Sequence, residues 1–244
     1  MDYFYKTPFD LTAPIEFDFK ELLVRVCLDR YMSREGHTFT SISLICEQCG
    51  YSSDRHNNSF SGYVRQVLIK LIDNKEITQV YGKNIDKVSN TGMIGFCLED
   101  KFFDIPTKMF AKLSFTAFDA LVSIDYPLAK PTLLKVYTYI RGRIIENTQQ
   151  AYGFYGSIER AVKDLNLSRK TVDTCLDLFV ENNLFIRHIT GSCYVNGSPR
   201  NVPNIYVLPD DNAKNNIKAL LGDLKQKYKV DEFAPVITPP MQVK

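Results

Sequence analysis

Residues 168–183, SRKTVDTCLDLFVENN, carry the pattern that decides the fold of this 244-residue chain. Apolar side chains recur at i, i+3, i+4, i+7 and i+8, the spacing of a helix that buries one face. They are Val172, Cys175, Leu176, Phe179 and Val180. Ser168 precedes the pattern and is predicted to cap the helix. Lys170, Thr171 and Thr174 lie mainly on the opposite face, so the first two turns present polar and cationic groups outward, as a recognition helix requires.

The segments around this helix predict a small module. Residues 157–168, SIERAVKDLNLS, indicate a shorter helix followed by a tight turn. Residues 185–195 and 204–209 indicate two strands that flank a polar loop. Helix, turn, helix and hairpin, in this order, predict a winged helix.

The same pattern occurs earlier in the chain. Five apolar residues repeat the helix spacing at a displacement of 108 positions: Val64, Val67, Leu68, Leu71 and Ile72. Upstream, SISLICEQCGYS at residues 41–52 lies over SIERAVKDLNLS with a displacement of 116, because the first copy has about eight extra residues between its helices. Predicted strands at Glu76–Tyr81 and Met93–Leu98 follow the first copy. Two shared blocks in one order favour a tandem duplication.

The remaining segments complete a mainly α fold with small β-hairpin wings, an α+β class. Met1–Glu16 is predicted to be a strand or an arm that packs on the first domain, and a helix is predicted from Pro106 to about Val122. Other helices are predicted at Phe17–Met32, Ser41–Cys49, Ser59–Asn74, Thr132–Asn147 and Asp211–Tyr228. The predicted domains are 1–103, a winged helix with its arm; 104–131, a packed helical linker; 132–209, a second winged helix; and 210–244, an amphipathic helix with a loose tail.

Composition limits the class of protein. Hydrophobic residues make up 45% of the chain, enough for a core, and the net charge is only +2, so a nucleic-acid surface requires local clustering of the 30 Lys and Arg residues. The six cysteines lie mostly within apolar patterns, which favours reduced thiols in a cytoplasmic protein. No apolar run approaches the roughly 18 residues of a membrane span, and the first residues lack the pattern of a signal peptide.

Four segments resemble a known family: IPTKMF at 105–110, LLKVYTYIRGRI at 133–144, the helix-turn-helix at 157–185, and IYVLP at 205–209. Together they resemble the winged-helix DNA-binding domains of replication initiators from plasmids, phages and mobile elements, chiefly of Gram-positive bacteria. The resemblance covers about Phe103–Pro209 and extends more weakly to the first half through the repeat. It implies binding to a repeated or palindromic origin and recruitment of host replication proteins. The chain departs from this pattern in a fairly neutral recognition helix, where Asp173, Asp177 and Glu181 accompany the cations.

Groove geometry assigns candidate contacts to double-stranded DNA, since a recognition helix enters the major groove while wing residues hold phosphates. In the second module the candidates are Arg169, Lys170, Thr171 and Thr174 on the helix, with Arg200 and Asn201 on the wing. In the first module they are Ser61, Tyr63, Gln66 and Lys70 on the helix, Arg55 and Asn58 before it, and Lys83, Asn84 and Lys87 on the wing. Each also fits the ordinary state of an exposed polar residue. Fewer acids surround the first helix, which favours it as the stronger DNA reader.

Motifs for metal binding and catalysis are weak. Cys46 and Cys49 have zinc-ligand spacing with His37 and His56 nearby, but Cys49 aligns with Leu165 of the second copy, which favours a buried thiol. The sequence contains no phosphate-binding P-loop, nucleophile elbow or His-Glu-x-x-His pair. We therefore expect no enzyme activity, catalytic residue, metal or cofactor.

Two classes of function remain open. The first is sequence-specific DNA binding, as a replication initiator or else a transcriptional regulator. The second is a winged-helix module that binds proteins instead of DNA. A homodimer is also predicted through an apolar stripe on the last helix: Ile217, Leu220, Leu221, Leu224 and Tyr228.

Overall fold

A computed structural model describes residues 4–8, 18–52, 59–104, 110–144, 153–195 and 197–236. The helices within these ranges are α1 (Phe19–Arg30), α2 (Ile42–Gln48), α3 (Ser59–Asp73), α4 (Phe115–Ser123), α5 (Lys130–Arg143), α6 (Ile158–Leu165), α7 (Arg169–Glu181) and α8 (Ala213–Tyr228). The strands are β1 (Phe4–Pro8), β2 (His37–Thr40), β3 (Ile77–Tyr81), β4 (Ile94–Leu98), β5 (Phe110–Ser114), β6 (Ile186–His188), β7 (Ser192–Val195), β8 (Ser198–Asn201) and β9 (Ile205–Val207).

All strand pairs are antiparallel and form small sheets. β1 pairs with β5, β2 and β3 flank β4, β6 pairs with β9, and β7 pairs with β8. Helices therefore supply most of the structure and small sheets supply the rest. The architecture is α+β, in agreement with the sequence.

The chain forms two compact units, Met1–Thr138 and Tyr139–Lys244. In the first unit α1, α2 and α3 pack together against the inner face of the three-stranded sheet, and Leu22, Ile45, Leu68 and Phe96 are fully or almost fully buried there. In the second unit α6 packs on α7, and α8 packs on β9.

The short helices α2 and α6 begin and end with the same hydrogen bonds. Ser41 accepts the backbone N–H of Leu44 at the start of α2, and Ser157 accepts that of Arg160 at the start of α6. Gly50 and Asn166 follow the two helices with φ of +77° and 51°, a left-handed conformation that suits glycine and asparagine. Both pairs are 116 positions apart, the displacement found in the sequence.

The longer helices α3 and α7 end in the same turn. Lys75 and Asn183 adopt φ of 57° and 54°, and they lie 108 positions apart. The next residue in each unit donates back to the helix: Glu76 N–H to the Leu71 carbonyl at 2.9 Å, and Leu184 N–H to the Phe179 carbonyl at 2.8 Å. The turn after α3 leads into β3, and the turn after α7 leads into β6.

Three strands, β2, β5 and β8, occupy segments that the sequence did not assign to strands. Residues 110–114, placed in the linker helix from the sequence, form β5, and the helix α4 begins only at Phe115. The reason is a two-residue alternation in which Ala111 and Leu113 are buried, together with pairing to β1. Pro106 lies outside the described residues. β2 occupies the end of the predicted break at 33–39, because Thr38 and Thr40 alternate inward around exposed Phe39.

The segment after α8 is also more ordered than the sequence suggests. Val230 and Phe233 pack against the core of the second unit. Ser192 and Ala234 exchange two backbone hydrogen bonds of 2.7 and 2.9 Å, and the Ser192 hydroxyl donates to the Pro235 carbonyl at 2.6 Å. The prediction of a loose tail is therefore wrong for this part, whereas residues 237–244 lie outside the described ranges.

Candidate nucleic-acid interface

Helix α7 presents the outward face that its sequence predicts. Ser168 caps the helix by accepting the Thr171 N–H at 3.1 Å, and Val172 and Phe179 are fully buried on the inner face. Lys170 is exposed, while Thr171 and Thr174 are half-buried. The first two turns therefore offer one cation and two hydroxyl groups to a ligand.

The other cation of this helix, Arg169, is held by acids. Its Nη1 lies 2.7 Å from Glu159 of α6, and its Nε lies 3.5 Å from Asp173 of α7. All three side chains are exposed to solvent by about half or more, so water screens these pairs and a phosphate can compete for Arg169. Further along the helix, Asp177 pairs with Arg187 of β6 at 2.5 Å, which neutralises one of the acids.

The wing of the second unit is a tight hairpin. β7 and β8 pair from Ser192–Asn201 to Val195–Ser198, and Arg200 and Asn201 of β8 are exposed. Tyr194 of β7 is 72% exposed, and sequence reasoning missed it as a surface group. The sequence signal for this hairpin is the Asn196-Gly197 dipeptide, because Asn-Gly between short extended runs indicates a two-residue hairpin loop. Gly197 has a φ of +76°, as such a turn requires.

In the first unit two predicted contacts turn toward α1. Lys70 Nζ lies 2.6 Å from Glu21, and the Tyr63 hydroxyl donates to the Asp18 carboxylate at 2.5 Å. Burial, followed by this hydrogen bond to Asp18, raises the pKa of Tyr63 above its usual range. Lys70 stays exposed and Tyr63 is half-buried, so both keep access to solvent while α1 supplies each with an acidic partner.

Arg65 is a structural residue of this surface that sequence reasoning missed. Its guanidinium donates to the Ile85 carbonyl, to the Val88 carbonyl at 3.0 Å and to the Asn90 side chain at 3.1 Å. Arg65 therefore fastens the loop between β3 and β4 to α3. The apolar spacing of α3 places Arg65 beside the buried stripe, but it does not show which partner the side chain meets.

The outward surface of α3 keeps some of its predicted residues. Gln66 is exposed, Ser61 is half-buried, and Lys83, Asn84 and Lys87 are exposed on the loop that Arg65 holds. The Asn84 side chain accepts the Asp86 N–H at 3.1 Å, which shapes the loop tip. Arg55 and Asn58 lie outside the described residues. The first unit therefore brings one amide and two lysines to a shared helix-and-loop surface.

No protein-family model and no curated protein matches the sequence. A crystal structure of the RctB domains 2-3 is similar at 12% identity, over 87% of this chain and 93% of that chain, with a TM-score of 0.38. Within the described ranges, no helix is both long and apolar enough to cross a bilayer.

Three cysteines of the first unit lie in its core. The thiols of Cys27 and Cys49 are 3.5 Å apart and buried, and Cys46 is buried beside them. Burial, with the neighbouring thiol, raises the pKa of Cys49 well above its usual value. A protonated thiol is a poor metal ligand, and the described residues contain no cluster of three His, Cys, Asp or Glu that could hold a metal ion.

Helix α8 buries its apolar stripe within its own unit. Leu220 and Leu224 are 4% and 0% exposed in a cluster with Ile205 and Val207 of β9. The other members of the stripe, Ile217, Leu221 and Tyr228, are partly buried against the same cluster. This corrects the assignment of the stripe to an open dimer surface, because the chain's own strands cover it. A homodimer stays a prediction, but these residues do not form the centre of its interface.

Proposed function

We propose that the chain binds double-stranded DNA through two winged-helix modules and serves as a replication initiator of a plasmid or mobile element in the cytoplasm. The observation that carries this proposal is the agreement between the two units. The serine caps, the left-handed turns and the return hydrogen bonds recur at displacements of 116 and 108 positions. In each unit a short helix, a turn and a longer helix precede an antiparallel strand pair.

In this proposal α3 and α7 enter successive stretches of major groove. The side-chain amide of Gln66 can pair with adenine. The Lys170 ammonium can donate to guanine, and the Thr174 hydroxyl can bond to either of these bases. Lys83 and Lys87 in the first unit, and Arg200 in the second, are placed on loops or hairpins where phosphates are bound. Such a protein acts by binding and by recruiting host replication proteins, without a catalytic residue of its own.

A second candidate, a protein-binding role for the first unit, is favoured by its sheet. Phe39 and Tyr81 are 52% and 58% exposed on the outer face, and their ring centroids are 6.2 Å apart above Gly95. A Cβ at position 95 would meet Phe39 at 2.7 Å, so the glycine permits this exposed aromatic pair. Exposed apolar patches on monomers mark contact sites for other proteins. The two roles are compatible on different faces of the unit.

Selection from a library of random duplexes tests the DNA proposal. The full chain is mixed with the library at 50 mM salt, and the retained DNA is amplified and sequenced over several rounds. We expect enrichment of a motif with two half-sites and a selected duplex that binds about 10³-fold or more tighter than a scrambled one. Failure to retain DNA, or retention without any enriched sequence, would contradict sequence-specific binding.

A further inference from the structure

Helix α8 and its C-cap carry a local excess of positive charge. Residues 213–229 contain five lysines and one acid, Asp223, a net charge of +4. The whole chain carries only +2, so the remainder is net negative. Duplex DNA is a dense polyanion, and affinity for it depends on local clusters of cations. The helix that sequence reasoning assigned to dimerisation therefore carries a net charge of +4, as does α5, where Lys130–Arg143 contains four cations and no acid.

Four of these lysines share one side of the helix, and we call them the lysine row: Lys214, Lys218, Lys225 and Lys229. The first three are separated by four and seven residues, which returns them to the same face, and Lys229 follows as the C-cap. The row spans about 22 Å at 1.5 Å per residue. Duplex DNA carries about 13 negative charges over that length. Lys214, Lys218 and Lys229 are exposed and Lys225 is half-buried, so the row lies beside the apolar stripe and reaches solvent.

The lysine row lacks the acidic partners that some other cations of the chain have. Among the residues that the structure describes, no acidic group pairs with any of its four ammonium groups within 4.0 Å. By contrast, Lys70 pairs with Glu21 and Arg169 pairs with Glu159. Lys227, the fifth lysine of the segment, lies over the rings of Tyr155 and Tyr228 at 5.8 Å from each centroid. The row is therefore available to an external anion.

The surface between two lysines of the row is concave. A cavity of about 390 Å³ is lined by Gly222, Lys225, Gln226, Lys229, Val230 and Asp231. Gly222 is exposed, and a Cβ built on it meets no atom within 4 Å. The absent side chain lets a sugar-phosphate chain approach the helix between Lys218 and Lys225. Asp231 also lines this cavity, and its negative charge opposes a phosphate there.

We propose that the lysine row binds the phosphate backbone of duplex DNA and adds sequence-independent affinity to the contacts of α3 and α7. This inference rests on the proposed DNA-binding function. A phosphate clamp outside the recognition helices explains how a chain with a nearly neutral α7 binds a polyanion. Ammonium groups suit this task because they contact phosphates as point charges and do not read base edges.

A salt titration with substituted lysines tests the inference. The quadruple variant K214Q/K218Q/K225Q/K229Q removes the row, and Lys227→Gln removes one charge from the other flank as the matched control. Loss of four phosphate contacts is expected to reduce the slope of log K against log salt concentration by about 3.6, from about 0.9 per contact. Affinity for a selected duplex and for its scrambled version should fall by the same factor. Lys227→Gln should leave the slope unchanged.

The outcomes separate this inference from the proposed function. If the unsubstituted chain binds DNA and the quadruple variant keeps its slope, the lysine row is not a phosphate site, whereas the DNA-binding proposal stands. If the unsubstituted chain does not bind DNA at 50 mM salt, both are overturned. Circular dichroism verifies that the quadruple variant is folded, and the single variants Lys218→Gln and Lys225→Gln should each reduce the slope by about 0.9.

Discussion

Replacing Arg25 with alanine is expected to destabilise the first unit by about 3–5 kcal/mol, the cost of leaving buried charges without their partner. The Arg25 side chain is only 11% exposed and joins two buried carboxylates. Its Nη2 lies 2.8 Å from Glu21 of the same helix, and its Nη1 lies 2.6 Å from Glu76 before β3. Arg25 also lies over the ring of Phe102, at 5.4 Å from its centroid. Alanine leaves both carboxylates buried with less compensation.

Urea unfolding followed by circular dichroism measures this loss, and hydrogen exchange locates it in peptides of the first unit. The matched control is Arg169→Ala, which removes an exposed pair and should cost less than about 1 kcal/mol. A loss below about 1 kcal/mol for Arg25→Ala would show that water or neighbouring groups replace the guanidinium, and it would contradict this account of the network.

The pH dependence of stability provides a second readout for the same variant. Burial disfavours the ionised Glu76, but hydrogen bonds from Arg25 and Asn74 outweigh burial and hold its pKa below the ordinary value of 4.5. A lowered pKa stabilises the fold above the unfolded pKa, and this contribution disappears as the pH falls through the folded value. The unsubstituted chain should therefore lose stability on acidification below about pH 4.5, and Arg25→Ala should lose less over the same interval.

Replacing Phe179 with alanine is expected to destabilise the second unit by about 3–5 kcal/mol through lost burial and a new cavity. Phe179 is fully buried on the inner face of α7, and its ring packs edge-on against Phe185 with centroids 6.0 Å apart. Its carbonyl also accepts the Leu184 N–H that closes the turn after the helix. Alanine keeps this backbone carbonyl, so the expected loss arises from the ring and its packing.

The same unfolding experiment checks this prediction, with Thr174→Ala on the outward face of α7 as the control. Thr174 is half-buried outside the apolar stripe, and its substitution should change stability by less than about 0.5 kcal/mol. Equal destabilisation by the two substitutions would mean that α7 does not bury the face assigned to it.

Sequence periodicity predicted the helices of both units because their apolar stripes are buried locally. α3 and α7 lie within one or two residues of the predicted bounds, and Ser41 and Ser168 cap helices as predicted. The strands β3, β4, β6 and β9 also lie where the alternation placed them. Each of these signals depends on residues that are close together in the chain.

Features that depend on distant residues were not predictable in this way. β5 pairs with β1 from about 106 positions away, so its alternation was mistaken for part of a helix. The spacing of α3 does not show that Glu21 and Asp18 become the partners of Lys70 and Tyr63. For α8, an amphipathic stripe has the same sequence whether it packs on its own unit or on a second copy. The hairpin between β7 and β8 is different from these features, because its signal, the Asn196-Gly197 dipeptide, depends only on neighbouring residues.

Hydroxyl-radical footprinting of a selected duplex tests the central claim, that two modules read DNA, most directly. The account predicts two separate stretches of protected backbone, one weakened by Gln66→Ala and the other by Lys170→Ala. The two substitutions lie on outward faces of α3 and α7, so both proteins should remain folded. A single protected stretch, or the same stretch weakened by both substitutions, would contradict the assignment of DNA reading to two modules.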